Sequence, residues 1–453
     1  MIEPTKTREG YMSDIIIIGS GPGGYETALY AAEQGLSVTL FEKAELGGTC
    51  LNCGCIPTKT LLHHAAMLRS LSHAEEYGLE GVTFSFNFSK AVERKDRVTG
   101  QLRQGIETLM GHPNITLVRA AAEFKDNNTV RADGVEYTAK DIIIATGSSP
   151  KRLSVDGADL EGVVTSTELL DMRDMPRRLC IIGAGVIGME FASCFSNFGC
   201  EVTVVEYMKE CLPMLDSDIA KRLRKEIDAT FFMQCAVSAI SRNDDGSLRV
   251  AFTKKGKEQA VDADIVLMAT GRTPNTETLN LKATEIATER GVITVGEDMR
   301  TTVPHVYAIG DVNARCMLAH AATMQGRRAV NAILGRDDGI DLSIMPSAVF
   351  TLPEAGSVGH SEDSCQRDGI EYDCHKAYYR SNGKAVAMGE TSGMVKVLTE
   401  KGSGRIIGCH AFGAHAADMV QEAGVLICSG VTLDQFREMT HIHPTLGEIL
   451  HSV

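Results

Sequence analysis

A short apolar run followed by a glycine-rich segment and an amphipathic stretch occurs twice along this chain. Residues 14–18, Asp-Ile-Ile-Ile-Ile, form a short apolar, β-branched run, which is typical of a buried strand in a parallel sheet. A glycine-rich segment at 19–24 follows directly, and residues 25–34 then predict a helix. The same order returns in an apolar run at 179–182, glycines at 183–188 and a helical stretch that ends at Phe198. The pattern therefore predicts two strand–turn–helix units.

Each glycine-rich segment has the spacing Gly-x-Gly-x-x-Gly, and it lies between the strand and the helix. The residues are Gly19, Gly21 and Gly24 in the first segment, and Gly183, Gly185 and Gly188 in the second. Glycines at this spacing permit a tight turn, close approach to a pyrophosphate and close helix packing. The pattern predicts that one chain holds two dinucleotides.

The strand after each helix ends in a carboxylate. Glu42 ends the run 37–41, and Glu206 ends the run 201–205; each lies eighteen residues beyond the last glycine of its segment. A carboxylate at this place accepts hydrogen bonds from an adenosine ribose. Glu206 would also repel the 2′-phosphate of NADP, and the next four residues contain no arginine, so the second site favours NAD.

Composition narrows the class of protein. A length of 453 residues suits about three domains, and a net charge of −14 argues against nucleic acid and anionic membranes as partners. Thirteen cysteines scattered along a long chain indicate reduced thiols and a cytoplasmic location. We find no apolar run of membrane-spanning length and expect no membrane association. Residues 1–11 are expected to be a loose extension before a fold that starts at Met12.

Three cysteines, Cys50, Cys53 and Cys55, lie close together in the segment 47–59, Gly-Gly-Thr-Cys-Leu-Asn-Cys-Gly-Cys-Ile-Pro-Thr-Lys. Thiols near a helix start have a lowered pKa, and a separation of five residues can bring two sulfurs to bonding distance there. The spacing therefore indicates a reactive thiol pair. A metal site is the alternative, but no nearby histidine or cysteine completes four ligands at a zinc-like spacing, so no metal is expected.

Segment 47–59 resembles the redox-active disulfide of the flavin-dependent pyridine nucleotide-disulfide oxidoreductases almost residue for residue. The resemblance implies a redox disulfide between Cys50 and Cys55, and FAD in the first dinucleotide site. The chain departs from the family at Cys53, where relatives usually carry an apolar residue. This departure leaves open which two of the three thiols pair.

The resemblance also implies which residues bind the cofactors. Ala145-Thr146-Gly147, Ala269-Thr270-Gly271 and 306–311 match family segments at the domain crossings and at the ribityl chain of FAD. The residues implied for FAD are Gly19, Gly21, Gly24, Glu42, Gly48, Thr49, Lys59, Thr146, Gly147, Gly271, Asp311, Met317, Leu318, Ala319 and His320. Those implied for NAD are Gly183, Gly185, Ile187, Gly188 and Glu206.

Two further pairs follow from the resemblance. Lys59 and Glu190 match an ion pair that lies beside the reactive nitrogen of the flavin. His443 and Glu448, in the segment His-Ile-His-Pro-Thr-Leu-Gly-Glu, match the catalytic base and the carboxylate that orients it. A histidine held by a carboxylate can accept the proton of a substrate thiol near neutral pH. His441, His63 and His64 are interpreted as structural.

The fold implied is α/β, with two Rossmann-like dinucleotide-binding domains and a C-terminal α+β dimerisation domain. The FAD-binding domain is predicted to be split between 12–149, which holds the redox disulfide, and 273–344. The NAD-binding domain is predicted at 150–272, and the interface domain at 345–453. In this family the base reaches the disulfide of the other subunit. The resemblance therefore implies a homodimer.

Substrate choice within the family rests on a few positions. Ile187, residues 317–320 and residues 350–354 resemble the members that oxidise dihydrolipoamide with NAD, and glutathione reductases tend to carry tyrosine at the Ile187 position. The partner implied is a lipoyl-bearing carrier of a 2-oxoacid dehydrogenase or glycine cleavage complex. The alternatives are an NAD(P)H-dependent reductase of another low-molecular-weight disulfide and a non-enzymatic flavoprotein. The joint presence of Cys50, Cys55, His443 and Glu448 argues against the last.

Overall fold

The secondary structure is taken from a computed structural model that describes residues 5–7 and 10–453. Over these residues the strands β1 to β25 are, in chain order, Thr5–Thr7, Gly10–Ile18, Val38–Phe41, Ile115–Val118, Ala122–Phe124, Thr129–Ala132, Val135–Ile144, Ser148–Pro150, Val163–Val164, Arg178–Ile182, Glu201–Glu206, Thr230–Met233, Cys235–Arg242, Leu248–Lys254, Lys257–Ala263, Ile265–Met268, Arg272–Pro274, Thr288–Glu289, Val292–Ile293, Val306–Ala308, Ser347–Val349, Glu354–Gly359, Tyr372–Tyr378, Met394–Glu400 and Ile406–Gly413.

Most of the α-helices of the same residues lie between single strands or groups of strands, and the last two follow the final strand. Helices α1 to α12 are Pro22–Glu33, Gly48–Cys53, Cys55–Ser72, Phe88–Leu109, Ser166–Asp171, Val186–Asn197, Ser217–Glu226, Ala319–Ile333, Glu362–Asp368, Gly383–Met388, Ala416–Cys428 and Leu433–Arg437. Short 3-10 helices occupy Ala74–Tyr77, Glu277–Leu279, Leu281–Ala283, Gly310–Asn313, Tyr379–Ser381 and Gly447–Ser452. Within the described ranges, none of the helices has the length and apolar content to cross a membrane.

The first of two compact units contains the described residues up to Pro57, together with Glu93–Lys151 and Arg272–Leu342. Its main sheet has the strand order β4-β3-β2-β7-β6-β5, with β20 also pairing with β7. Strands β4, β3, β2, β7 and β20 run parallel. This arrangement is the doubly wound α/β sheet that the first strand–turn–helix unit predicts.

Strand β2 is buried on both faces of that sheet. Ile15 and Ile17 pack into one apolar cluster with helices α1 and α8, whereas Ile16 and Ile18 pack into a second cluster with Phe124. Side chains alternate between the two faces of a strand, so a continuous apolar run fills both clusters. The predicted strand is therefore confirmed, and its bounds are wider than expected.

The start of the chain differs from expectation. Strand β2 begins at Gly10, and Thr5–Thr7 pairs with it in antiparallel register, with Thr5 opposite Met12. The expected loose extension before Met12 is thus wrong for residues 5–7 and 10–11. The physical reason is that the first residues of β2 extend beyond its pairing with β3, which begins at Ile15, so that they offer backbone N–H and C=O groups to a returning segment. The rest of the predicted extension, residues 1–4 and 8–9, lies outside the described residues.

The second compact unit contains Thr58–Val92, Arg152–Gly271 and Ser343–Val453. It holds a parallel sheet of order β12-β11-β10-β16-β9, an antiparallel sheet β13-β14-β15, and an antiparallel sheet β21-β22-β25-β24-β23. The parallel sheet carries the second glycine-rich turn. The last sheet, with α11 and the C-terminal residues, forms the α+β arrangement predicted from residue 345 onward, and the α/β fold class is confirmed. The finer division into domains stays a prediction.

Candidate active site

The first glycine-rich turn joins β2 to α1. A Cβ on Gly24 would lie 1.8 Å from the carbonyl oxygen of Gly19, so only glycine lets the helix start this close to the turn. The nearest heavy atom to a Cβ on Gly21 would be 3.9 Å away, which leaves open space at the helix N-terminus. A helix N-terminus carries a partial positive charge, so the turn fits a pyrophosphate.

Glu42 lies beside the turn and is buried. Its Oε2 accepts hydrogen bonds from the backbone N–H of Ser20 at 3.0 Å and from the Ser20 hydroxyl at 2.6 Å, while Oε1 accepts from the N–H of Ala44 at 2.8 Å. A carboxylate has about four acceptor positions, so these three bonds leave about one. That position suits a ribose hydroxyl.

The three motif cysteines are arranged over two consecutive helices. Cys50 and Cys53 lie in α2, and Cys55 begins α3 after Gly54. Each of the three is partly exposed. A Cβ on Gly48 would lie 2.6 Å from the Cα of Gly21, so the start of α2 touches the first glycine-rich turn. The predicted cofactor residues Gly48 and Thr49 are thereby placed beside the predicted pyrophosphate site.

Two residues near the cysteines were missed by sequence reasoning. Asn52 donates to the carbonyl oxygens of Leu46 at 2.9 Å and Gly48 at 3.0 Å, and its Oδ1 accepts from Arg103 at 2.8 Å. Tyr25 follows Gly24 directly, and burial, followed by Glu26, raises its pKa to about 12, with the smallest contribution from Cys50. Asn52 fixes the loop that precedes α2, and Tyr25 offers a phenol that stays protonated.

Asp311 lies in the 3-10 helix that follows β20. The hydroxyl of Ser148 donates to its carboxylate, and Arg272 lies 3.6 Å from the same oxygen. Arg272 also donates to the Ser148 hydroxyl at 2.7 Å. Ser148 and Arg272 were not predicted as site residues, because 124 positions separate them and no local pattern links them. Helix α8 then begins at Ala319, with Leu318 as N-cap and with Met317 and His320 exposed.

Thr146 and Gly147 follow β7 at the end of the first parallel sheet. Thr146 donates from its hydroxyl to the carbonyl oxygen of Asn275 at 2.7 Å, and the Asn275 amide donates back to the Thr146 carbonyl at 2.9 Å. Asn275 was also missed by sequence reasoning. Gly271 is exposed and has a φ of +102°, a conformation that favours glycine. These contacts fix the segment that carries two predicted FAD residues.

The second glycine-rich turn repeats the geometry of the first. A Cβ on Gly188 would lie 2.0 Å from the carbonyl oxygen of Gly183. A Cβ on Gly185 would have no heavy atom within 4 Å, so the space at the N-terminus of α6 is open. Ile187, the second residue of α6, is partly exposed at this end. The turn therefore also fits a pyrophosphate.

Glu206 ends β11 beside this turn and is buried. Its Oε1 accepts from the N–H of Met208 at 2.6 Å, and its Oε2 accepts from the N–H of Ala184. Two of about four acceptor positions thus remain for ribose hydroxyls. The charge and the lack of an arginine in 207–210 disfavour a 2′-phosphate.

The predicted pair of Lys59 and Glu190 is present in the second unit. Lys59 Nζ lies 2.8 Å from both carboxylate oxygens of Glu190, whose side chain is 4% exposed. Glu190 also accepts from the N–H of Phe350 at 3.0 Å, and the ammonium lies 4.7 Å from the centre of the Phe350 ring. Lys59 is the partly exposed cation of this cluster, and Glu190 is its buried anion. Phe350 contacts both and is therefore a third member.

His443 and Glu448 are also brought together. His443 Nδ1 lies 2.9 Å from Glu448 Oε1, and Glu448 Oε2 accepts from the N–H of Thr445 at 2.8 Å. The Thr445 N–H and the His443 ring hold the pKa of Glu448 below its usual value. The side chain of His443 is 79% exposed, so its other nitrogen can reach a substrate thiol. Glu448 stays ionised over the range in which a histidine titrates, and so keeps the ring oriented.

The remaining histidines differ from this pair in their surroundings. His441 lies 2.8 Å from Glu422, and its ring packs edge-on against Phe436. His64 bonds the carbonyl of Thr60 within its own helix, and His63 is exposed. Within the described residues, no group of three or more His, Cys, Asp or Glu side chains is arranged to hold a metal ion.

The fold and these sites define a family. Residues 13–326 match the pyridine nucleotide-disulphide oxidoreductase family, and residues 345–453 match the dimerisation domain of the same family. The chain belongs to the pyridine nucleotide-disulphide oxidoreductases, and the predicted family is confirmed.

Particular relatives are similar over nearly the whole chain. The chain is 37% identical to a dihydrolipoyl dehydrogenase of Bacillus subtilis, over 96% of this chain and 94% of that protein. It is 38% identical to a dihydrolipoyl dehydrogenase of Chlamydia muridarum, over 96% and 95% of the two chains. Among solved structures, the HOCl-induced flavoprotein disulfide reductase RclA of Escherichia coli is 28% identical, with a TM-score of 0.86 over 97% of this chain and 99% of that chain.

Proposed function

We propose that this protein is an FAD-dependent dihydrolipoyl dehydrogenase that transfers electrons from dihydrolipoamide to NAD. The observation that carries the proposal is the hydrogen-bonded pair of His443 and Glu448, with an exposed ring that can deprotonate a thiol. The near full-length similarity to proteins named dihydrolipoyl dehydrogenase supports the choice of substrate.

The cofactors follow from the two glycine-rich turns. The open N-terminus of α1, Glu42, and the segment Gly48 and Thr49 would hold FAD in the first unit. The open N-terminus of α6 and Glu206 would hold NAD in the second unit. When bound, the two cofactors supply two-electron transfer from a dithiol to a nicotinamide. The family resemblance assigns to Lys59, held by Glu190, the role of a positive charge beside the flavin.

The chemistry of the protein residues is thiol–disulfide exchange. With His443 taking its proton, one substrate thiol attacks Cys50 of a Cys50–Cys55 disulfide, which forms a mixed disulfide and releases Cys55 as a thiolate. The second substrate thiol then attacks the substrate sulfur of the mixed disulfide and releases Cys50, whose sulfur takes up the proton that this thiol gives up. The substrate leaves as a cyclic disulfide, and the protein pair has gained the two electrons. Cys50 is assigned as the attacked sulfur by the family resemblance.

In the proposed function, the protein acts as a homodimer together with a lipoyl-bearing partner. The dimerisation domain at 345–453 supports a homodimer in which His443 serves the disulfide of the other subunit. The lipoyl group would be delivered by a carrier protein of a 2-oxoacid dehydrogenase or glycine cleavage complex. A cytoplasmic location is proposed from the scattered cysteines.

A comparison of substrates tests the proposed function. Steady-state rates are measured with dihydrolipoamide and NAD, and separately with glutathione disulfide and NADPH. We expect the first pair to exceed the second by orders of magnitude. Comparable rates, or a faster second reaction, would favour an NAD(P)H-dependent reductase of another disulfide instead.

A variant tests the base and the shared site together. General-base catalysis contributes roughly 10²–10⁴-fold, so His443→Gln should lose about that factor with dihydrolipoamide. Reduction of an artificial acceptor by NADH should persist. Mixing inactive His443→Gln chains with inactive Cys50→Ser chains should restore activity in hybrid dimers, because one site then has an intact cysteine pair and an intact histidine. Verified hybrids that stay inactive would reject the shared site.

A further inference from the structure

A second histidine–carboxylate pair lies two residues before the first. His441 Nε2 is 2.8 Å from Oε1 of Glu422, which belongs to α11. The side chain of His441 is only 15% exposed, whereas that of His443 is 79% exposed. The two pairs therefore have the same chemistry but different access to solvent. The proposed reaction uses only the exposed one.

Both ring nitrogens of His441 face groups that can only accept hydrogen bonds. Nε2 faces the Glu422 carboxylate, and Nδ1 lies 3.2 Å from the carbonyl oxygen of Met439. A neutral imidazole has one donor nitrogen and one acceptor nitrogen, so it can satisfy only one of these contacts. Both contacts are made when the ring is protonated at both nitrogens. A ring protonated at both nitrogens would pair as an imidazolium with the Glu422 carboxylate.

The pair is fixed against the segment that carries the base. The His441 ring contacts the rings of Phe436 at 5.0 Å and His451 at 4.1 Å between centroids. Glu422 Oε2 lies 3.6 Å from the position that a Cβ on Gly447 would take, directly before Glu448. Both partners therefore border the 441–448 segment, one from within it and one from α11.

We propose that His441 and Glu422 are positioning residues for the base, and that their ion pair sets the proton affinity of His443 through the field at Glu448. This inference rests on the proposed function. The titratable groups around His441 are Glu422 from α11, His451 and Glu448 from the C-terminal 3-10 helix, and His443 from its own segment. The positive charge of His441 adds a small contribution to the lowering of the Glu448 pKa, after Thr445 and His443.

The test uses the opposite charges of the two partners. Removing the cation in His441→Gln leaves an extra negative charge, so His443 should hold its proton to higher pH. Removing the anion in Glu422→Gln should have the reverse effect. We expect the acidic limb of the pH profile of kcat/KM for dihydrolipoamide to move to higher pH in His441→Gln and to lower pH in Glu422→Gln. The double variant should lie between them.

The size of the effect separates positioning from catalysis. His441→Gln should lose about ten-fold in kcat/KM at neutral pH, below the roughly hundred-fold or greater loss expected for removal of a general base. Artificial-acceptor reduction by NADH should be unchanged in all variants. His415→Gln is the matched control, because it removes an exposed histidine 3.6 Å from Asp418 on the same helix, and its pH profile should match wild type.

The proposed role of His441 and Glu422 would be wrong if the acidic limb of the pH profile stays in place, or if it moves in the same direction in both single variants. Should His441→Gln fail to fold, Glu422→Gln alone decides: a downward shift supports the pair and an unmoved limb rejects it. These failures are distinct from failure of the proposed function, in which the wild-type protein itself would not oxidise dihydrolipoamide.

Discussion

The two glycine-rich turns of this chain share one backbone design and differ in what surrounds it. In each, the last glycine lies against the carbonyl oxygen of the first, with Cβ positions that would be 1.8 Å and 2.0 Å away. In each, a buried glutamate at the end of the next strand accepts backbone N–H groups. The same local sequence pattern thus produces the same turn twice.

The surroundings of the middle glycine are where the turns differ. Gly21 is approached by Gly48 at the start of the cysteine-bearing helix α2, whereas a Cβ on Gly185 would meet nothing within 4 Å. Glu42 also accepts a hydrogen bond from the hydroxyl of Ser20. The matching position in the second turn is Ala184, which has no hydroxyl and donates only its backbone N–H to Glu206. The start of the redox motif lies against the first turn, whereas no heavy atom lies within 4 Å of the Cβ position of the middle glycine in the second turn.

This difference matches the roles of two cofactors in one cycle. A cofactor that stays bound benefits from contacts that close around it, whereas a cofactor that leaves after each turnover needs an open route. We interpret the first turn as the site of resident FAD and the second as the site of exchangeable NAD. Substitutions at matched positions in the two turns test these two roles.

The largest effect is expected from alanine at the last glycine of each turn. Because the added Cβ would overlap a carbonyl oxygen, the turn must shift, and misplacement by about 1 Å can cost roughly a hundred-fold in rate. Gly24→Ala should purify without flavin absorbance. Gly188→Ala should keep its flavin but lose about a hundred-fold or more in NAD reduction. Loss of flavin from both variants, or from neither, would contradict the separate roles.

An intermediate effect is expected at the glutamates. Glu206→Ala should lower the ratio of efficiencies with NAD and NADP by at least about ten-fold, because the carboxylate both binds ribose hydroxyls and repels a phosphate. Glu42→Ala should weaken retention of FAD and leave that ratio unchanged. The check is steady-state kinetics with both nucleotides beside flavin release on dilution. An unchanged ratio in Glu206→Ala would show that the second turn does not select the nucleotide.

The smallest effect is expected from the hydroxyl that only the first turn has. Ser20→Ala removes a buried hydrogen bond to the Glu42 carboxylate, and such bonds to charged groups contribute about 1.5–3 kcal/mol. The free energy of unfolding of the flavin-loaded protein should fall by about that amount in a denaturant titration. Ala184→Ser in the second turn is the matched control and should not stabilise the protein. Equal stability of Ser20→Ala and wild type would remove this distinction.

The sequence was sufficient to predict those residues of the candidate site that depend on local spacing. The glycines, Glu42 and Glu206 were predicted because each lies at a fixed distance from a strand or a helix, whereas the pair of His443 and Glu448 followed from the family resemblance. The Lys59–Glu190 pair, which spans 131 positions, came from the family resemblance rather than from spacing.

Other features of the site depend on contacts between distant segments. Asn275 meets Thr146 across 129 positions, and Phe350 meets Glu190 across 160. Neither pair has a local pattern, so tertiary packing alone reveals them. The antiparallel pairing of Thr5–Thr7 with β2 was likewise missed, because polar residues in a short segment carry no strand periodicity.

The central claim is that electrons pass from a dithiol to NAD by way of the cysteine pair and the flavin. An anaerobic titration of the purified protein with one equivalent of dihydrolipoamide tests it directly, followed by addition of NAD or NADP. We predict a long-wavelength absorbance band on reduction, from the Cys55 thiolate beside oxidised flavin, and then its loss with about one NADH formed per site on addition of NAD, but not NADP. A flavin spectrum unchanged by dihydrolipoamide, or a reduced protein that NAD does not reoxidise, would contradict the account.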